Sequence, residues 1–197
     1  MEIATLEKTT ELEAAVMDQI KDRKSLRSYL SKSVEAGKIK SLFEAARWAP
    51  SAMNDQPWTY IFATKDQGEL WGKLHSVLND GNKLWAGNAP LLILSMARNT
   101  YRNYGTPNSM ALYDLGAANA FLSLQATDLG LNAHQIGGYN REKARELLNI
   151  PDTYDLGVII AVGYPGGPEL LPESLRVREL SPRYRFSQKE FVHSKGF

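Results

Sequence analysis

Cysteine is absent from the 197 residues, and that absence removes disulfides, thiolate nucleophiles and cysteine-ligated metals together. Neither sign of charge dominates: 23 Lys and Arg face 22 Asp and Glu. A surface made for nucleic acid or acidic lipid carries a basic excess, so both partners are disfavoured. No apolar run approaches the roughly 18 residues that a membrane-spanning helix needs. The opening residues, MEIATLEKTTELEAAV, are too acidic and polar for a signal peptide, and the expected location is cytoplasmic. The three histidines, His75, His134 and His193, are far apart and lack the HExxH spacing of a zinc site. A G-x-S-x-G elbow, a Walker lysine motif and a G-x-G-x-x-G turn after a strand are all missing, which argues against serine-hydrolase, P-loop and Rossmann sites. Asp66/Glu69 and Glu142/Glu146 read as helix caps or surface pairs, so paired-carboxylate chemistry is poorly supported.

What is present is an ordinary globular composition, 43% hydrophobic and 23% charged, in a chain of single-domain length. Thr10 and Glu13 have capping-box spacing, and Leu12, Val16 and Ile20 follow on one helical stripe. Ile39, Leu42, Phe43 and Ala46 predict a second helix that stops at Pro50. WTYIFAT from Trp58 reads as a strand. Asp66 is placed to cap a helix whose apolar face is Leu70, Leu74, Val77 and Leu78. After Pro90, LLILSMA suits a strand buried on both faces. A long helix rich in small residues spans about Ser109 to Leu129, closed by Gly130. LNAHQI reads as a strand, Asn140 caps REKARELLNI, and DLGVIIAVGYP is a further buried strand. The tail from Pro172 carries Arg176, Arg178, Arg183 and Arg185 without a core of its own, and is expected to wrap over something, such as another subunit.

Three short stretches are candidates for binding. In DRKSLRSYL, Arg23, Lys24, Ser25 and Arg27 offer guanidinium forks, an ammonium and a hydroxyl, the mixture a phosphate takes. The alternative is a solvated helix end, where cations are also favoured. In AARWAPSAMNDQPWTYIF, Pro50 and Pro57 stiffen the loop that carries Ser51, Asn54 and Gln56. Amides and hydroxyls held rigidly suit the polar edge of a heterocycle; the alternative is a turn that ends a helix and seats Trp58 in the core. In QIGGYN, Gly137 and Gly138 follow a strand directly and let backbone N–H groups approach a flat ligand, or else form a simple turn. GYPGGP, residues 163–168, is a turn whose prolines withhold donors.

Together these stretches resemble the FMN-dependent nitroreductase family over nearly the whole chain. RKSLR (residues 23–27) is similar to the family's R-R-S-x-R element, and APSAMNDQPW (residues 49–58) to its more specific A-P-S-x-x-N-x-Q-P-W element. GNKLWAGNAP, GLNAHQIGGYN and LLNIPDTYDLGVIIAVGYP follow in the family's order. The resemblance implies an α+β fold, a central, mostly antiparallel sheet flanked by helices, in a domain-swapped homodimer with FMN at each of two subunit interfaces. It places Arg23 and Ser25 on the phosphate and ribityl chain, with Lys24 where the family often has arginine or histidine. It puts Arg27 near flavin N1 and O2, Asn82 at the pyrimidine edge, and the N–H groups of Gly137 and Gly138 at N5 and O4. Pro50, Ser51 and Ala52 reach in from the other subunit, Asn54 with Gln56 either follows them or braces the loop, and Arg176 and Arg178 close on the phosphate. NAD(P)H is the implied reductant, in a ping-pong reaction with a nitroaromatic, quinone or similar acceptor. The alternatives are a dehalogenase, an enoyl-type reductase, a flavin-fragmenting enzyme, or a non-enzymatic flavin-binding protein. In the family the region matching residues 98–110 covers the substrate pocket, so Tyr101 and Tyr104 are candidates to stack on a flat acceptor, with Arg98 or Arg102 to attract a nitro or carboxylate group. The alternative is that these side chains pack a dimer surface.

Overall fold

Burial of one strand on both faces organises the chain, in a computed structural model that describes residues 7–196. In order, the elements are β1 (Lys8–Thr9), α1 (Asp18–Asp22), α2 (Ala36–Arg47), β2 (Trp58–Thr64), α3 (Gly68–Ser76), α4 (Asp80–Ala86), β3 (Leu91–Arg98), α5 (Ala111–Asp128), β4 (Asn132–Ile136), α6 (Arg141–Leu147), β5 (Tyr154–Gly163), α7 (Glu173–Leu180) and β6 (Arg185–Phe186). Four strands form an antiparallel sheet in the order β2-β3-β5-β4. Residues 91–97 of β3 are all buried. Side chains alternate along a strand, and the alternation sorts β3 between two cores. Leu92, Leu94 and Met96 pack with Leu74, Val77, Leu78 and Trp85 beneath α3 and α4. Leu91 and Ile93 pack with Ile39, Leu42 and Ala46 of α2 and with Ala118, Leu122 and Ala126 of α5. The result is α+β, a helix–sheet–helix sandwich. Among the described residues, no helix is long and apolar enough to cross a membrane.

A bulge interrupts β5. Leu94 pairs with Ile159 and Met96 with Leu156, so Gly157 and Val158 together oppose Ser95. The extra residue resets the alternation, and Leu156 and Ile159, three apart, reach the same core. Ser95 Oγ sutures the bulge: it accepts the Val158 N–H (3.1 Å), donates to the Val158 carbonyl (3.0 Å) and accepts the Asn119 amide from α5 (3.1 Å).

Most elements expected from the sequence form. Gly130 follows α5 at φ +71°, the left-handed conformation a helix terminus takes. Asn140 accepts the Lys143 N–H at 2.9 Å as the cap of α6. Three expectations differ. The N-terminal stripe makes no helix over residues 10–17, and Leu12, Val16 and Ile20 stand exposed. A stripe becomes a helix where something buries it, and Glu13 instead accepts the Gln188 N–H from the tail (3.0 Å). Asp66 does not cap α3; Gln67 precedes that helix and its side-chain oxygen accepts the Thr64 N–H and hydroxyl, each at 3.0 Å. The tail is structured beyond expectation: α7 buries Leu175, and β6 pairs antiparallel with β1 of the same chain.

A Cβ added at Gly157 would lie 2.7 Å from Leu115 Cδ2 and 2.9 Å from Ser95 Oγ. Gly157→Ala is therefore expected to lower unfolding free energy by about 1–3 kcal/mol, measured by urea denaturation. An unchanged midpoint and slope would show that the bulge accommodates the methyl group.

Candidate functional site

Residues 23–28 run without regular structure beside the start of β4, and hydrogen bonds to that strand hold them. Asn132, buried at the head of β4, accepts the Leu26 N–H (3.2 Å) and donates to the Leu26 carbonyl (2.9 Å). The His134 Nδ1 lies 3.0 Å from the same carbonyl, so this nitrogen is the protonated one. Burial pushes the pKa of His134 down, and its ring centroid lies 4.5 Å from that of Trp85 on α4. Tyr29 ends the stretch with its hydroxyl donating to the Ala161 carbonyl (3.0 Å).

The tail covers these residues and completes a cleft of about 560 Å³. Arg23, Lys24, Ser25 and Arg27 line one side, and Arg178, Glu179, Arg183 and Arg185 the other. Six cations thus face one carboxylate. Arg23 donates to the Ser25 hydroxyl (3.2 Å). Its pKa is lowered by burial first and then by Arg183 and Arg185, the signature of crowded positive charge. The single carboxylate, Glu179, is occupied: it accepts the Arg27 N–H (2.7 Å) and the Ser28 N–H (3.2 Å), and pairs with the Arg27 guanidinium (3.5 Å). Arg183 donates to the carbonyls of Lys21 (2.5 Å) and Arg23 (2.6 Å). Arg176 does not line the cleft; it pairs with Glu173 one turn back on α7. Beside the cleft, Arg23 and Ser25 also border a hollow of about 450 Å³ whose walls include Ile20, Ala120, Leu124 and Ala133.

Gly137 and Gly138 leave β4 with different surroundings. The Gly138 carbonyl accepts the Asn82 side-chain amide (3.0 Å) and the Asn79 N–H (3.1 Å). A Cβ at Gly138 would lie 2.8 Å from Asn82 Nδ2, whereas one at Gly137 meets no heavy atom within 4 Å. Gly138 is a close-packed backbone step, and Gly137 opens onto space that a side chain would fill.

The loop between α2 and β2 is rigid. Met53, Asn54 and Gln56 adopt φ of +54°, +55° and +50°, conformations that cost about 1 kcal/mol or more each away from glycine. Ser51 Oγ accepts the Gln56 N–H (3.0 Å), and the Gln56 side chain donates to the Asn54 carbonyl (3.0 Å), so these two side chains brace the loop. Buried Asp114 of α5 accepts the Ala52 N–H at 3.0 Å. Asp55, also buried, accepts the Arg102 N–H at 2.7 Å. Within the chain, the hollow at this loop is lined by Asn54, Asp55, Gln56, Trp58, Arg102 and Asn103 and shares no residue with the cationic cleft. Pro50, Ser51 and Ala52 line neither.

Residues 98–110 fold back on themselves. Thr100 bridges Pro107, and Gly105, at φ +66°, donates its N–H to the Tyr101 carbonyl (2.8 Å). Tyr101 and Tyr104 meet edge to face with centroids 6.4 Å apart, and Tyr104 is exposed. The Arg102 guanidinium donates to the carbonyls of Asp55 and Gln56, both at 3.2 Å, and Arg98 to Thr100 Oγ1 at 3.3 Å. Arg102 is therefore a fastener between this segment and the rigid loop.

Sequence reasoning missed Glu179, Asp55, Asp114 and the positioning contacts of Asn132 and His134. Nothing local marks an isolated carboxylate as the partner of a backbone some 150 residues away. Arg183 and Arg185 carried a signal, four arginines within ten residues of an otherwise coreless tail.

Comparison with known proteins agrees with this fold. The model of the nitroreductase family matches residues 20–74 and 69–164. A protein of Archaeoglobus fulgidus bearing the name "Putative NADH dehydrogenase/NAD(P)H nitroreductase" is 32% identical over 153 residues, 76% of this chain and 84% of that one. A solved structure described as an oxidoreductase containing FMN superposes with a TM-score of 0.89 at 32% identity, covering 95% of each chain. A nitroreductase family protein from Clostridium difficile superposes at 0.71 with 26% identity, over 93% of this chain and 100% of its own. The chain belongs to the nitroreductase family.

Proposed function

We propose that the protein is an FMN-dependent oxidoreductase that takes electrons from NAD(P)H and passes them to a flat acceptor such as a nitroaromatic or a quinone, in a ping-pong order and as a homodimer. The observation that carries this reading is the cleft in which six cations face a single, already paired carboxylate, and the open glycine step at Gly137, after the other end of β4, adds to it. The donor chemistry suits a phosphate, and the space at Gly137 suits the edge of a planar ring. A relative 32% identical whose structure contains FMN supports the choice of cofactor.

Bound FMN supplies hydride chemistry, which is why the protein needs neither nucleophile nor general base. The chain's own residues bind, orient and bias. Arg23, Lys24, Ser25 and Arg178 hold the phosphate, and the first of these is pre-aimed by its bond to Ser25. Arg27 offers positive charge toward the pyrimidine edge, where negative charge grows on reduction. Asn82 fixes the Gly137–Gly138 backbone through the Gly138 carbonyl, so that N–H donors meet the ring without rearrangement.

The homodimer is supported by apolar surface. Leu112, Tyr113 and Phe121 of α5 are exposed, as are Met17 and Ile20. Met17, Ala45, Phe121 and Leu124 line a hollow of about 390 Å³. Trp48 is 70% exposed although its indole N–H is fixed on Glu44 at 2.9 Å, an arrangement that suits an interface anchor. Pro50, Ser51 and Ala52, on the rigid loop and outside the lining of their own chain's cleft, would serve the partner's.

Four outcomes test the reading. As-purified protein is expected to carry flavin absorbance that NADPH or NADH bleaches anaerobically. Arg23→Ala should weaken FMN binding by about 1.5–3 kcal/mol, read by fluorescence quenching; full occupancy with unchanged affinity removes Arg23 from the phosphate site. Sedimentation should give dimers whose association strengthens with FMN, and a stable flavin-loaded monomer would exclude the shared site. Tyr104→Ala should alter the acceptor's kinetic constants while flavin content and dimer stay intact; lost dimer stability with normal turnover per flavin would make residues 98–110 structural.

A further inference from the structure

Glu179 stands on α7, in the tail, yet its side chain is only 7% exposed. A buried carboxylate is costly unless its oxygens are satisfied, and here every donor comes from one dipeptide. Oε1 accepts the N–H groups of Arg27 and Ser28, at 2.7 and 3.2 Å, and Oε2 meets the Arg27 guanidinium at 3.5 Å. Arg183 grips the same stretch from its other end through the Lys21 and Arg23 carbonyls. Simple docking of the tail would be served by backbone contacts such as those of Arg183. Glu179 does more, because it also touches the charged end of Arg27. The Arg27 side chain is 23% exposed, and it lines the cleft while its guanidinium meets the counter-ion.

We propose that Glu179 is a positioning residue: it fixes the backbone under Arg27 and tempers the positive charge that Arg27 presents to the bound flavin, thereby setting the flavin's reduction potential. This rests on the cofactor reading above. The reasoning is electrostatic. Reduction places negative charge on the isoalloxazine, and an uncompensated cation beside it favours the reduced form. A carboxylate paired with that cation withdraws part of the benefit and holds the potential lower.

Glu179→Gln keeps the size and an oxygen for the backbone N–H groups while removing the charge. Its midpoint potential, measured anaerobically against a reference dye, is expected to rise above that of the wild type, with FMN affinity equal or tighter. The shift should vanish when the same change is made in an Arg27→Gln background, a coupling that a purely structural role would not produce. Flavin-loaded wild type and Glu179→Gln at equal potentials, or a shift that persists without Arg27, overturn the proposal. Wild-type protein that takes up no FMN overturns the cofactor reading itself, a distinct result. Should Glu179→Gln lose its flavin, Glu179→Asp, which draws the charge back from Arg27, is measured in its place; an upward shift supports the role and no shift overturns it.

Discussion

The two-sided burial of β3 is the constraint on which the other elements depend. Seven consecutive buried residues must be covered above and below, and a chain of this size meets that demand with α3 and α4 on one face and α2 and α5 on the other. Neighbouring strands then share the same two cores. The bulge at Gly157–Val158 is where β5 adjusts to this, one extra residue placing Leu156 and Ile159 on a common face. A polar group inside such a core has to be satisfied, and the Ser95–Asn119 pair meets that condition while tying α5 to the sheet.

The candidate site lies where this frame ends. Residues 23–28 gain no stability from regular structure, and side chains of β4 supply what a strand partner would have given: Asn132 bonds both backbone groups of Leu26 and His134 adds a third contact. Cations gathered on such a stretch repel one another. The fold answers with a single carboxylate from the tail, not with one for each cation, so most of the positive charge stays available to a ligand. That imbalance distinguishes a binding cleft from a surface of matched ion pairs such as Glu44–Arg47 or Glu69–Lys73, which are exposed and contribute little.

Much of this was legible in the sequence, and the boundary has a physical basis. Runs such as LLILSMA and the Ile39–Leu42–Ala46 repeat announce themselves because their pattern is the pattern of their burial. Asn140 and Gly130 are legible because capping is local chemistry. The resemblance of RKSLR and APSAMNDQPW to family elements brought the cleft residues and the rigid loop into view together. What stayed hidden depends on distant chain. The Leu12–Val16–Ile20 stripe has helical spacing but no burying partner among the described residues. Glu179 and Asp55 look like any surface carboxylates until the tail carries the first onto Arg27 and Ser28 and residues 98–110 fold over the second. The tail reads as coreless in sequence because, among the described residues, Leu175 is its one buried apolar side chain and the rest of its hold is hydrogen bonds and ion pairs, which leave no periodic trace.

The loop between α2 and β2 shows how rigidity is achieved where regular structure is absent. Three non-glycine residues in left-handed conformations are unfavourable taken singly, so the surroundings must fix them. Asp114 reaches from α5 to Ala52, Asp55 holds the Arg102 backbone, and the Arg102 side chain returns to the Asp55 and Gln56 carbonyls. Each of these contacts crosses between elements, so the loop is only as fixed as the segments that grip it. Residues 98–110 are consequently bound to the loop through Arg102 and Asp55, so a displacement of the exposed Tyr104 that kept those hydrogen bonds would have to bend about Gly105. A glycine at φ +66° is the residue best able to take up such a change.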